Sequence, residues 1–135
     1  MTPSVTYLHL LRHTPFFSAL STKQLQWVID YSREWKVNTG DIVATNEDQD
    51  DYWILLDGGW QLSHNQINHV FKHDSPGKWF CSSIATEQCE LIATSPSYVM
   101  QITQMEMQNM INQRFAFIQH LKQGRDFYQT LFTSY

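Results

Sequence analysis

The chain has 135 residues, of which 42% are hydrophobic, 14% aromatic and 16% charged, with a formal net charge of −4. This is one domain's length with enough apolar residues for a packed core, which excludes intrinsic disorder as the main state. The nine Lys and Arg residues are scattered from Arg12 to Arg125 without forming a basic stripe, which argues against direct nucleic-acid binding by this chain.

Cys81 and Cys89 are too few for a disulfide framework or a four-thiolate cluster. No apolar run approaches the roughly 18 residues of a membrane span, and residues 1–13 lack the basic-then-apolar pattern of a leader. A soluble, cytoplasmic chain with no membrane contact is expected.

Tyr7 to Phe17 is apolar with partial helical spacing, broken at Pro15. Ser21 and Gln24 then form an S-x-x-Q capping box, with Leu20 and Leu25 placed as a hydrophobic staple. Leu25, Val28 and Ile29 continue a core-facing helical stripe to about Ser32. From Trp35 the pattern changes to short strands: Trp35–Val37, Ile42–Ala44, Tyr52–Leu56, Trp60–His64, His69–His73, Trp79–Cys81, Glu90–Thr94 and Tyr98–Ile102. Turns at Asn38–Asp41, Asp57–Gly59, Asn65–Asn68, Ser75–Gly77 and Ser95–Ser97 separate several of them, and Asn46–Asp51 reads as a polar loop. Short strands at this spacing indicate a sandwich or barrel. At Thr103 a helix start recurs, with Glu106 completing the box and Ile102 and Met107 the staple. An apolar stripe follows through Phe115, Ile118, Leu121, Phe127 and Leu131, and Gly124 is a place for the helix to bend or end. The expected fold is mainly β with flanking α: an eight-stranded antiparallel β-roll (a double-stranded β-helix) with N- and C-terminal helices. One domain spans 1–135, with a helical part at 1–34, the roll at 35–102 and C-terminal helices at 103–135.

Several motifs occur in one order. Pro15-Phe16-Phe17 precedes Leu20-Ser21; Gly40-Asp41-Ile42-Val43 follows; Asn46-Glu47 leads to Tyr52-Trp53-Ile54-Leu55-Leu56-Asp57-Gly58; and Pro76-Gly77-Lys78-Trp79-Phe80 closes the series. In this order the chain resembles the cyclic-nucleotide-binding-domain family, the effector domains of Crp/Fnr-type regulators and of cAMP-dependent kinase regulatory subunits. Asn46 stands where that family has glycine, and Asn tolerates the left-handed turn. The resemblance implies a phosphate-binding cassette, in which a Gly-Glu-(Leu/Ile) run starts a short helix and an Arg-(Ser/Thr)-Ala run supplies the arginine for the cyclic phosphate. Those positions fall on Cys81-Ser82-Ser83 and near Glu87-Gln88-Cys89, and the stretch between is several residues short. A carboxylate near the arginine position repels a phosphate. The resemblance therefore carries the fold, while the cAMP-binding residues are replaced.

The candidate site is this degenerate cassette: Trp79, Phe80, Cys81, Ser82, Ser83, Glu87, Gln88 and Cys89. Trp79 and Phe80 read first as core aromatics and second as the lining of a pocket for an uncharged or apolar ligand. His64, His69 and His73 read as solvated hairpin histidines rather than a metal site: residues four apart on a strand lie about 13 Å apart. A four-residue loop would let only His64 and His69 face each other. Asp48, Asp50 and Asp51 lack the EF-hand glycine and terminal glutamate and read as a solvated acidic turn. The two cysteines read as ordinary buried thiols. No cupin metal pattern, nucleophile elbow or phosphate loop is present, so no catalytic residue, metal or cofactor is expected. The sequence reads as a non-catalytic regulatory, sensor or interaction domain that has lost cAMP and cGMP binding. The alternative is the effector domain of a Crp/Fnr-like transcription regulator sensing an unknown small ligand, with DNA binding supplied elsewhere. In either case a homodimer through Thr103 to Phe132 is expected, since the stripe carries more apolar surface than one barrel face needs.

Overall fold

The computed structural model describes residues 1–133; the last two residues of the expected helical part at 103–135 lie outside the described residues. Nine strands and four α-helices follow in chain order: β1 (Thr2–Ser4), α1 (Leu8–Arg12), α2 (Thr22–Asp30), β2 (Arg33–Val37), β3 (Ile42–Thr45), β4 (Tyr52–Asp57), β5 (Trp60–His64), β6 (Ile67–Phe71), β7 (Trp79–Phe80), β8 (Glu90–Ala93), β9 (Ser97–Ile102), α3 (Gln104–Asn112) and α4 (Ile118–Thr133). All strand pairs are antiparallel. They make a five-stranded sheet in the order β1-β2-β9-β4-β7 and a four-stranded sheet in the order β3-β8-β5-β6. The expected roll with helices at both ends is the observed architecture.

The five-stranded sheet is the middle layer, and β4 shows why. Tyr52 to Leu56 is an unbroken apolar run, and a strand buried on both faces needs one. Tyr52, Ile54 and Leu56 join the helix-side core with Leu11, Phe16, Phe17, Leu25, Met107 and Met110. Trp53 and Leu55 point the other way, into the roll, with Trp60, Leu62, Leu91 and Val99. Both helix starts form, but only the first has the complete capping box, because the Glu106 side chain does not return a bond to the Thr103 amide. At α2 the Ser21 hydroxyl accepts from the Gln24 amide while the Gln24 side chain accepts from the Ser21 amide. At α3 the Thr103 hydroxyl accepts from the Glu106 amide.

The structure differs from the sequence expectation at four places in the fold. β1 is an additional strand: Thr2–Ser4 pairs along β2 with Ser4 opposite Glu34, although its polar residues show no alternating pattern. The β5–β6 hairpin turns on two residues, Asn65 and Gln66, at φ 50° and 65°. This is the twist-matched two-residue turn, made without the glycine that usually marks it. β6 therefore starts at Ile67, two residues earlier than expected. Asn46 is not left-handed; its side chain instead accepts from the Cys89 amide. Finally, the C-terminal helix breaks at Arg114, with φ 64°, and not at Gly124, which lies inside α4.

Glu34 links the added strand to the sheet. Its carboxylate accepts from the Ser4 hydroxyl at 2.6 Å, and it is 5% exposed. Burial lifts its carboxyl above the usual carboxylate range, against the lowering effect of hydrogen bonds from Ser4 and Thr6. A carboxyl raised in the folded state contributes stability below its unfolded value and loses that contribution as pH rises through the folded value. Relative to Glu34→Gln, the wild type is thus expected to lose stability as pH rises from about 4.5 towards neutrality. Urea denaturation of both proteins across that range checks this, and parallel profiles would contradict it.

Candidate functional site

The segment between β7 and β8 occupies the position of the expected cassette. It contains one three-residue 3-10 turn, Ser82–Ile84, and no α-helix, in line with the shortness of the sequence there. Its polar groups are engaged within the chain. The Asp50 carboxylate accepts from the Ser83 amide at 3.0 Å and the Ser82 hydroxyl at 3.3 Å. The Cys89 amide donates to the Asn46 side chain at 3.1 Å. Glu87 turns away from the turn and pairs with Nε2 of His64, and the Asn65 side-chain amide donates to the same carboxylate. Gln88 is exposed.

These contacts revise the reading of the loop acids and the histidines. The expected solvated acidic turn is a set of internal acceptors: Asp48 accepts from the Thr45 amide, Asp50 holds the cassette turn, and Asp51, 7% exposed, accepts from the Gln101 side chain at 2.7 Å. His64 is not a solvated hairpin histidine but is buried, its ring edge-on to Phe132. In the observed register it stands opposite Ile67, while His69 stands opposite Leu62, so the two histidines do not face each other.

Trp79 and Phe80 are fully buried, as the core reading of these residues has it, and their partner is α4. The Tyr128 hydroxyl donates to the Trp79 carbonyl at 2.8 Å, and Trp79 Nε1 donates to the His120 carbonyl at 3.0 Å. The Tyr128 ring meets those of Phe71, Trp79, Phe80 and Phe127 edge-on. Gly124 is required here: a Cβ built on it would lie 2.2 Å from Trp79 Nε1. Tyr128, Leu131 and Phe132 are thereby inserted among the residues that line the inside of the roll.

The thiols of Cys81 and Cys89 are buried and outside any disulfide. Burial raises both above the ordinary thiol range, Cys89 to about 11, so both stay protonated at neutral pH and are weak nucleophiles. Arg125 is a positive group that the sequence reading missed. It reaches the Tyr52 hydroxyl at 3.4 Å and acts electrostatically on Cys81. Only the docking of α4 brings it there, and no local spacing signals it. Tyr52 belongs to the helix-side core, so this guanidinium contacts that side of the sheet.

The stripe on the C-terminal helices is largely used within the chain. Phe115, Leu121 and Leu131 are buried and Phe127 packs against Phe71, whereas Ile118 is 61% exposed. The outer positions Gln119, Lys122, Gln123, Asp126, Gln129 and Thr130 are exposed and polar. Among the described residues no helix is long and apolar enough to cross a membrane.

No protein-family model and no curated protein sequence matches the chain. Solved structures do match, and they share one fold. The regulatory subunit of a cAMP-independent protein kinase A from Trypanosoma brucei matches with a TM-score of 0.68 at 17% identity, over 93% of this chain and 50% of that one. A CooA mutant from Carboxydothermus hydrogenoformans matches at TM-score 0.67 and 12% identity, covering 97% of this chain and 86% of that one. The sensor domain of the transcriptional regulator DNR from Pseudomonas aeruginosa matches at TM-score 0.60 and 16% identity, covering 86% and 88%. The fold is that of the cyclic-nucleotide-binding domains, and at these identities the likeness carries the fold alone.

Tyr128→Phe keeps the ring and removes the donor to a buried carbonyl, which is expected to cost about 1–3 kcal/mol. Gly124→Ala is expected to cost a similar amount, about 1–3 kcal/mol, by overpacking against Trp79. Chemical denaturation followed by tryptophan fluorescence measures both; unchanged midpoints would show that α4 is not fixed through Trp79.

Proposed function

We propose that this chain is a non-catalytic regulatory or interaction domain that uses the cyclic-nucleotide-binding fold without binding cAMP or cGMP. The observation that carries the reading is the occupation of the site by the protein itself. Tyr128, Leu131 and Phe132 fill the inside of the roll, and the cassette turn bonds to Asp50 and Asn46. A cyclic phosphate leaving water needs a positive group and backbone donors, or its burial costs several kcal/mol. Near the arginine position this chain has Glu87, and Glu87 is paired with His64. Of the cations near the turn, Arg125 contacts Tyr52 on the helix-side core, and the buried Lys78 interacts electrostatically with Asp74 and His120. The fold also occurs in the regulatory subunit of a cAMP-independent kinase, which fits regulation by something other than cAMP. Isothermal titration of the protein with cAMP and cGMP is expected to show no binding tighter than roughly 10 μM; a tighter complex would refute the reading.

A second reading is favoured by the likeness to CooA and to the DNR sensor domain. Here the chain is the effector part of a Crp/Fnr-like regulator that dimerises through residues 103–132. The exposed Ile118 and the half-buried Phe127 would supply the apolar contacts of that helix face. Sedimentation velocity at micromolar concentration separates the two: a dimer weakened by Ile118→Glu supports the second reading, and a monomer removes it.

A further inference from the structure

We propose that the cleft beneath the N-terminal strand binds a primary organic amine, with its ammonium on Glu34 and Ser32 and its apolar body against Ile29 and Trp35. This cleft has a volume of about 450 Å³ and is walled by the segment Pro3–Thr6 on one side and by Ile29 and Ser32–Trp35 on the other. A second cleft of about 430 Å³ shares Ser4, Val5 and Glu34 with it, so Ser4 and Val5 form a strap with open space on two sides. Volumes of this size are those of small-molecule sites.

The chemistry of the lining selects the ligand. Glu34 is 5% exposed; one carboxylate oxygen accepts from the Ser4 hydroxyl, the Thr6 hydroxyl also acts on the carboxylate, and Oε1 is buried with no partner at hydrogen-bond distance and angle. The Ser32 hydroxyl is also buried without a partner and lines the same cleft. Trp27, His69, Glu106 and His120 each bury an unpaired polar atom too, but none of them lines this cleft. Two acceptor oxygens beside one cavity call for a donor, and an unpaired carboxylate oxygen calls for a cationic one. An anion is disfavoured by Glu34 itself. A guanidinium binds best to both oxygens of a carboxylate, and here Ser4 holds one of them. An ammonium presents three donors from a point and can satisfy Glu34 Oε1 and Ser32 Oγ together. Apart from Thr6, the rest of the wall is apolar, through Pro3, Val5, Ile29 and the ring of Trp35, whose Nε1 is tied to Gln101 at 2.9 Å. The basic side chain of the lining, Arg33, is exposed, where solvent and salt screen it. Because Oε1 is sealed, the amine reaches it when Val5 and Thr6, which follow the three-residue edge strand, move aside while Ser4 keeps its bond to Glu34.

The test uses tryptamine as the probe and tryptophol, the same ring system with an alcohol in place of the amine, as its neutral counterpart. Amide-resolved NMR of the full chain is expected to show saturable shifts at residues 3–6 and 32–35 with tryptamine and weaker ones with tryptophol. Glu34→Gln, which keeps the side chain's shape, is expected to weaken tryptamine about tenfold or more through loss of the charge-assisted bond, and its amide spectrum reports whether it folds. If it does not fold, Ser32→Ala carries the test, and an unchanged tryptamine affinity there overturns the proposal. Absence of saturable shifts, shifts elsewhere, equal binding of tryptophol, or full affinity in folded Glu34→Gln would also overturn it.

Discussion

A phenol buried completely among aromatic rings must find an acceptor for its hydroxyl, and for Tyr128 that acceptor is the Trp79 carbonyl. The same tryptophan returns a bond from its indole nitrogen to the His120 carbonyl, beside the start of α4. Two hydrogen bonds to one residue thus fix the helix along its length, and Gly124 between them lets its backbone approach the indole. Burial raises the Tyr128 hydroxyl far above its ordinary value, so the donor is kept at any pH at which the protein folds. Once α4 is held there, the destinations of Leu131 and Phe132 follow: they continue the inward face of the helix and complete the core of the roll.

This placement accompanies a segment between β7 and β8 whose helical structure is a single tight turn, Ser82–Ile84. The inside of the roll is filled by side chains of α4, and the polar groups of the turn take partners within the chain. Asp50 takes the Ser83 amide and the Ser82 hydroxyl, Asn46 takes the Cys89 amide, and Glu87 takes His64. Each partner comes from a loop or hairpin end on the roll, so the turn is tied to β3, β4 and β5 at once. Asn46 shows how the sequence moved away from the glycine pattern: its side chain does the bonding while its backbone stays out of the left-handed region.

What was legible in the sequence was local. Capping residues act within one helical turn, so Ser21 and Thr103 marked their helices. A strand buried on both faces must be continuously apolar, so Tyr52 to Leu56 declared itself. The misses have a common cause in tertiary contact. Thr2–Ser4 is a strand only because β2 offers an edge and Glu34 accepts from Ser4. The Asn65-Gln66 turn lacks its usual glycine, so local sequence signals the second strand two residues late and not the observed pairing of His64 with Ile67. The few residues between β7 and β8 could be counted from the sequence, but their contacts to Asp50 and Asn46 bridge more than thirty residues of separation. Arg125 near Cys81 follows from the docking of α4 and from nothing nearer.

The two ends of the molecule treat buried polar groups in opposite ways. In the segment between β7 and β8 the amides of Ser83 and Cys89 have side-chain acceptors, and the inside of the roll is packed with apolar side chains. Under β1 a carboxylate oxygen and a hydroxyl lie beside open space with no partner. Leaving a buried acceptor unmade costs about 1–3 kcal/mol, and the chain had cheap remedies: a glutamine at position 34 would remove the charge, and an alanine at position 32 would remove the hydroxyl. The hydrogen bond from Ser4 engages one oxygen of Glu34 and leaves the other, Oε1, without a partner. The unsatisfied polar atoms of Glu34 and Ser32 thus lie at the N-terminal edge of the five-stranded sheet, while the amides of the turn between β7 and β8 are bonded within the chain.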